Sequence, residues 1–357
     1  MSYNSNRRPS RAVFAGGVGI GADHPITIQS MTNTDTHDVE ATYRQTAALE
    51  AAGCDIVRIT APDLESIDTF TELRRRGIRV PLVADIHFNY KIAVRAAYAG
   101  VDKIRINPGN IGSRDKVAEV VRAVRERSIP IRIGVNSGSL EPDILKKYGA
   151  PTAEALAESA LRHAAILEDL DYRNVVLSVK SSDVRTMIEA NRILAEHTDY
   201  PLHLGVTEAG FSSRAVVKSS IGLGTLLAEG IGDTVRVSLT SDPTDEVKCA
   251  RDVLASLGLC DGGMDIVSCP TCGRTKIDLI ALTREFESRV AAEGLNMKRI
   301  KVALMGCAVN GPGEARECDI GIAGGDGDGL LFRRGEIIEK IPESQLIDRL
   351  IEEIRRL

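Results

Sequence analysis

Cys269 and Cys272 stand two residues apart in CPTC, and Cys307 follows in MGC, each at the end of an apolar run that reads as a strand. A C-x-x-C pair lets two sulfurs reach one metal, and a third thiolate from a neighbouring strand end fills most of a coordination sphere. The fourth ligand is open between Cys318 and Glu314, the carboxylate of GCAVNGPGEA. Four thiolates favour a closed zinc or electron-transfer site; three with an exchangeable oxygen favour an iron-sulfur cluster with one iron open to substrate. A thiol–disulfide pair is weakened because no thioredoxin-like pattern surrounds CPTC. Cys54, Cys249 and Cys260 read as small buried hydrophobes.

A second set lies upstream. VRI, IRI and IRI place Arg58, Arg105 and Arg132 between β-branched neighbours, and Lys180 in LSVKSS and Arg236 in VRVSLTS repeat the pattern. A guanidinium near the C-terminal end of a barrel strand points into the mouth, where such folds do their chemistry. Five cations there repel one another unless an anion of several charges sits among them, so a phosphorylated, in particular a diphosphorylated, small substrate is expected. Pairing of single arginines with Asp85, Asp102 or Glu208 is the alternative. Asp85, His87, Asn107, Asn136, Ser182, Thr207, Glu208 and Ser238 stand at the same strand ends. Of these, Glu208 is the acid/base candidate. Lys180 also suits a Schiff-base lysine, as in barrel aldolases. His24, His37, His163, His197 and His203 show no ligand spacing and read as surface or packing residues, and GLGTLL (222–227) lacks the strand context of a dinucleotide loop.

The elements that must position these groups recur as one unit: amphipathic helix, Gly, short β-rich run, polar residues. Helix 38–52 ends at Gly53 before CDIVRIT (54–60), a second ends at Gly77 before 80–87, and a third at Gly100 before 101–110. Gly after a helix supplies the left-handed cap that turns the chain back. Strands at 25–31, 130–138, 174–182, 201–210 and 233–241 complete eight, each followed by a helix, which predicts a (β/α)8 TIM barrel over 1–258 and ranks an open doubly wound sheet below it. AGGVGIGADHP (15–25) reads as a hairpin before the first strand. A linker at 259–265 leads to a small α+β domain at 266–357. In that domain a long helix near 275–293 and strands at 299–307 and 319–325 precede LLFRRGEIIEKI, read as one strand, and a helix at 344–356.

Composition sets the outer bounds. Aromatics are 4% with no Trp and the net charge is −5, which disfavours a nucleic-acid binder. No run of about 18 apolar residues predicts a membrane helix, and no apolar stretch follows Arg7, Arg8 and Arg11 as a secretory signal requires. Seven unevenly placed cysteines do not make a disulfide framework, so a reducing, cytoplasmic setting is expected.

Taken together, ITIQSMTNTDT, VRIT, ADIHFNY, IRINPGNIG, IRIGVNSGSL, VTEAG, SCPTCGRT and MGCAVNGPGEA closely resemble the bacterial 4-hydroxy-3-methylbut-2-enyl diphosphate synthase family over nearly the whole chain. The resemblance implies an oxidoreductase of the non-mevalonate route to isoprenoids, which opens 2-C-methyl-D-erythritol 2,4-cyclodiphosphate reductively with loss of a hydroxyl as water. It implies a [4Fe-4S] cluster on Cys269, Cys272, Cys307 and Glu314, which decides the fourth ligand against Cys318. It further implies a substrate site of Arg58, Arg105, Arg132, Asn136, Lys180 and Ser238, with Thr207 and Glu208 at the reacting hydroxyl. Flavodoxin or ferredoxin as electron donor, and a homodimer sharing its active sites, complete the expectation.

Overall fold

In the computed structural model, which describes residues 6–307 and 316–357, the chain divides into two compact units, Met1–Cys260 and Asp261–Leu357. In the first, a hairpin of β1 (Val13–Ala15) and β2 (Val18–Ile20) precedes eight parallel strands. These are β3 (Thr27–Met31), β4 (Ile56–Thr60), β5 (Leu82–Asp85), β6 (Lys103–Ile106), β7 (Ile131–Asn136), β8 (Val175–Lys180), β9 (His203–Leu204) and β10 (Thr234–Val235). Their order, β8-β7-β6-β5-β4-β3-β10-β9, places every strand beside its neighbours in the chain, and a parallel bridge from Leu177 to Leu202 closes the ring. The TIM barrel expected from the repeating unit is therefore present.

Around it run α1 (Val39–Ala51), α2 (Ile67–Arg75), α3 (Tyr90–Tyr98), α4 (Arg114–Glu126), α5 (Pro142–Tyr148), α6 (Ala153–Glu168), α7 (Val184–His197), α8 (Ser212–Ala228) and α9 (Pro243–Ser256). The short α5 is an addition to the expected eight. Its Pro142 sits in the first turn, where a missing N–H costs nothing, and Gly149 closes it in the left-handed conformation at φ 75°.

Strand residues alternate strictly. Val57, Ile59, Leu82, Ala84, Ile104, Ile106, Ile131 and Ile133 face outward into one apolar layer shared with the helices. The intervening positions face the lumen; Ile56 and Val83 among them are apolar and pack on the hairpin, whereas Arg58, Asp85, Arg105, Arg132 and Lys180 are the charges that interrupt the aliphatic phrases. The hairpin forms over 13–20, earlier than expected, and its Ala15 and Ile20 pack on Ile56 and Val83. β9 and β10 are shorter than their apolar phrases suggested. The ladder stops at Leu204 and Val235, although Arg236 N–H still donates to the Leu204 carbonyl at 2.9 Å.

The second unit is a five-stranded sheet, β11 (Asp265–Ser268), β12 (Lys301–Met305), β13 (Ile320–Gly324), β14 (Asp328–Arg333) and β15 (Glu336–Pro342), in that spatial order. The first three strands are parallel and the last two antiparallel. On one face α10 (Leu279–Ala292) and α11 (Leu346–Arg356) bury Phe286, Val290, Leu350 and Ile354 against Val302, Leu304 and Ile322. LLFRRGEIIEKI is two strands, not one. Arg334 and Gly335 take φ of 49° and 83°, the consecutive positive values of a tight hairpin turn.

Candidate functional site at the barrel mouth and the thiol pocket

Register brings the cations together. Met31 pairs with Arg58, Asp85 with Arg105, Arg105 with Arg132, and Asn136 with Lys180. Residues directly opposite on parallel strands share a face, so all four cations enter one lumen. Asp85 serves two of them, with Arg105 Nη1 3.2 Å from Oδ1 and Arg58 Nε 3.7 Å from Oδ2. The Arg58 guanidinium also lies 2.9 Å from the Met31 sulfur. Arg236 is matched at 3.3 Å by Glu246 of α9, which accepts the Ser30 hydroxyl at 2.9 Å. Arg132 is 1% exposed and donates from Nη1 to Ser178 Oγ at 3.3 Å, leaving Nε and Nη2 without partners. Neither Arg132 nor Lys180 forms an ion pair among the described residues.

Five cations thus face two carboxylates. Burial and the neighbouring cations push Arg132 and Lys180 well below their ordinary values. Burial, opposed by Asp85, brings Arg58 down to about 10. Asp85, which burial alone would raise, is held at about 2 by Arg58, Arg105 and Arg132. Two glycines leave room for the long side chains. A Cβ on Gly134 would fall 2.5 Å from Arg105 Nε, and one on Gly205 would fall 2.7 Å from Lys180 Nζ.

The remaining candidates lie at or just beyond the C-terminal ends of the barrel strands. Asn107 is buried and accepts the Gly134 N–H at 2.9 Å. Asn136, Thr207 and Ser238 are half-buried and His87 is exposed. Glu208 is exposed with φ 50°, a left-handed conformation that a non-glycine residue seldom adopts and that recurs at functional sites. Asp102 does not join the cluster; it pairs with Arg74 of α2. Sequence reasoning missed Glu246, Met31, Lys103 and the lumenal position of His203. The last two are fully buried, and neither the Lys103 ammonium nor either His203 ring nitrogen has a hydrogen-bond partner. Alternation would have found Lys103, two residues before Arg105, whereas Glu246 lies on a helix face that no strand pattern reveals. A cavity of about 580 Å³ between α8 and α9, lined by Leu239, Cys249 and Val253, includes none of these lumenal residues.

In the second unit, Cys269, Cys272 and Cys307 line one pocket of about 220 Å³ with Arg274, Thr275 and Gly306. β12 delivers Gly306 N–H to the Cys269 sulfur at 3.2 Å, and Cys272 N–H donates to Thr275 Oγ1 at 3.0 Å. Thr271, between the paired cysteines, has φ 63°. Hydrogen bonding by the backbone and side chain of Arg274 lowers the Cys272 thiol and favours the thiolate. Among the described residues no three His, Cys, Asp or Glu side chains converge closely enough to hold a metal ion, and Glu314 lies outside them. Cys318 does not line the pocket. It is buried with Ala303, Met305, Ala323 and Phe332, and burial raises its thiol.

Basic side chains gathered in the lumen of a TIM barrel mark the first unit as the kind of barrel whose strand ends carry an enzyme's chemistry. Family models for the GcpE TIM-barrel domain and the GcpE protein C-terminal domain match residues 10–251 and 265–356. A Clostridium perfringens protein named 4-hydroxy-3-methylbut-2-en-1-yl diphosphate synthase (flavodoxin) is 56% identical, covering 99% of this chain and 100% of its own. A protein of the same name from Geobacillus thermodenitrificans is 54% identical over 100% of this chain and 94% of its own. The chain belongs to the GcpE family, the 4-hydroxy-3-methylbut-2-en-1-yl diphosphate synthases, and is an oxidoreductase of isoprenoid biosynthesis. No helix among the described residues is long and apolar enough to cross a membrane.

Proposed function

We propose that the chain converts 2-C-methyl-D-erythritol 2,4-cyclodiphosphate to (E)-4-hydroxy-3-methylbut-2-enyl diphosphate with two electrons from flavodoxin, the donor that its relatives' names carry. The observation that carries this reading is that Arg132 and Lys180 are buried in the barrel lumen with no carboxylate paired to either among the described residues and with Arg132 Nε and Nη2 left without partners. Arg58, Arg105, Arg132 and Lys180 bind the two phosphoryl groups, and charge-assisted hydrogen bonds from fixed guanidinium forks orient the ring. Asn136 and Ser238, at the rim, hold the remaining ring oxygens. Opening breaks one carbon–oxygen bond to phosphate and one to a hydroxyl. Glu208 gives the proton with which that hydroxyl leaves as water, and Thr207 steadies the leaving oxygen.

The donor set of the thiol pocket fits an iron-sulfur group: three thiols on one cavity, an amide N–H on one sulfur and a thiol already biased toward thiolate. Held by Cys269, Cys272, Cys307 and Glu314, a [4Fe-4S] cluster would supply the two electrons and a Lewis-acidic iron. Cys318 stays outside this set. A homodimer in a cytoplasmic setting completes the proposal, and light scattering on the holoenzyme measures its mass.

Anaerobic purification with iron, sulfide and zinc analysis, followed by turnover of the cyclodiphosphate with reduced flavodoxin, tests the whole. Four irons and four sulfides per chain with product formation are expected. One zinc without sulfide would overturn the reading and return Lys180 to lyase chemistry.

A further inference from the structure

His163, within α6, is 2% exposed, and both of its ring nitrogens are engaged. Nδ1 accepts the Gly109 N–H at 3.1 Å. Nε2 lies 3.3 Å from Glu141 Oε1, while Glu141 Oε2 accepts the Ser159 hydroxyl at 2.6 Å. An amide N–H can only donate, so Nδ1 is bare and the ring proton sits on Nε2, facing the carboxylate. Gly109 belongs to the turn Pro108–Asn110 that leaves β6, and a Cβ there would fall 2.6 Å from the imidazole. The turn therefore rests directly on the ring. Two residues earlier, Asn107 reaches β7 by accepting the Gly134 N–H at 2.9 Å, and the Gly134 carbonyl accepts Arg105 Nη2 at 2.6 Å. A continuous set of contacts runs from His163 through the turn to a guanidinium of the mouth.

We propose that His163 is a positioning residue of the anion site, which holds the turn after β6 and through Asn107 and Gly134 aims Arg105 at an anionic ligand. This rests on the barrel mouth being an anion site, as the proposed function requires, and not on which anion it takes. A proton on Nδ1 would set two donors, the ring and the Gly109 amide, against each other. Burial, assisted by Arg162 on the same helix, holds the imidazole below its ordinary value against the pull of Glu141, and the turn presents the ring with the Gly109 amide. As pH falls through that lowered value the turn is released and anion affinity drops.

The test is calorimetric binding of inorganic pyrophosphate to the holoprotein from about pH 5 to 8, for wild type, His163→Gln and His163→Phe. Gln can accept from Gly109 and donate to Glu141 without titrating. Because all three proteins see the same ligand protonation, the difference between wild type and His163→Gln isolates the imidazole. Expected are His163→Gln within about twofold of wild type at the alkaline end and lacking the extra acid loss, and His163→Phe weaker than His163→Gln by about tenfold throughout, the scale of one lost hydrogen bond, with wild type falling toward His163→Phe at the acid end. Equal affinity in His163→Phe, or parallel acid loss in wild type and His163→Gln, overturns the proposal. If His163→Phe does not fold, the imidazole ¹⁵N shifts of wild type decide: a protonated Nδ1 at neutral pH overturns it. Pyrophosphate binding without cyclodiphosphate binding would overturn the substrate reading and leave the role of His163 standing.

Discussion

Gly205 decides whether Lys180 can lie across the lumen. An added methyl would meet the Lys180 ammonium at 2.7 Å and the Arg236 carbonyl at 2.6 Å, and the second neighbour is backbone and cannot swing away. Gly205→Ala is expected to raise KM for the cyclodiphosphate about tenfold or more, the cost of misplacing one charge-assisted hydrogen bond, with iron content unchanged. A wild-type KM would mean that Lys180 does not bind substrate. Glu208→Gln keeps shape and removes the proton, so kcat is expected to fall about 10²–10⁴-fold with substrate affinity nearly constant. Equal losses in kcat and affinity would make Glu208 a binding group instead. The arginines were legible because period-two alternation marks a charge in an aliphatic strand as lumenal. The glycines that make room for them, and Glu246 arriving from α9, were not, since a close approach across the barrel leaves no trace in local sequence.

At the level of elements, the thiol pocket depends on how β12 ends. Gly306 brings its amide to the Cys269 sulfur, and its carbonyl accepts the Lys276 N–H at 3.2 Å, which ties the strand end to the segment after CPTC. A Cβ at Gly306 would fall 2.8 Å from the Thr275 side chain. Gly306→Ala is therefore expected to lower iron and sulfide per chain while far-UV circular dichroism stays native, and full metal loading would refute the argument. Cys318→Ser, at a buried position that packs near Cys269 and Met305 but does not line the thiol pocket, should leave the visible spectrum intact. Strand and helix positions followed from Gly-terminated repeats, and most strands lie within their expected runs. The one-strand reading of LLFRRGEIIEKI failed because Arg334 adopts a positive φ that its residue type does not announce.

For the whole molecule, net charge and local charge have opposite signs. The chain carries −5 overall, yet its barrel encloses Arg58, Lys103, Arg105, Arg132, Lys180 and Arg236 against Asp85 and Glu246, with Lys180 held well below its ordinary value by burial and by Arg236, Arg132 and Arg58. Folding has thus buried an amine whose charged form is disfavoured by burial and by its cationic neighbours, and which a bound anion would favour again. Binding of the cyclodiphosphate or pyrophosphate should take up protons, and its heat should vary with the ionisation enthalpy of the buffer. The sign follows from the direction of the shift: a base depressed in the free protein gains protons when an anion raises its pKa. Because ligand binds only the folded state, saturation at about 100 times Kd contributes about 2.7 kcal/mol, or roughly 5–10 °C in the melting of a barrel this size. Lys180→Met removes the titrating group while keeping much of the packing, so its anion binding should become weaker and independent of buffer. Buffer dependence that persists undiminished in Lys180→Met would assign the proton uptake to another lumenal base, of which Lys103 and His203 are both buried and both depressed.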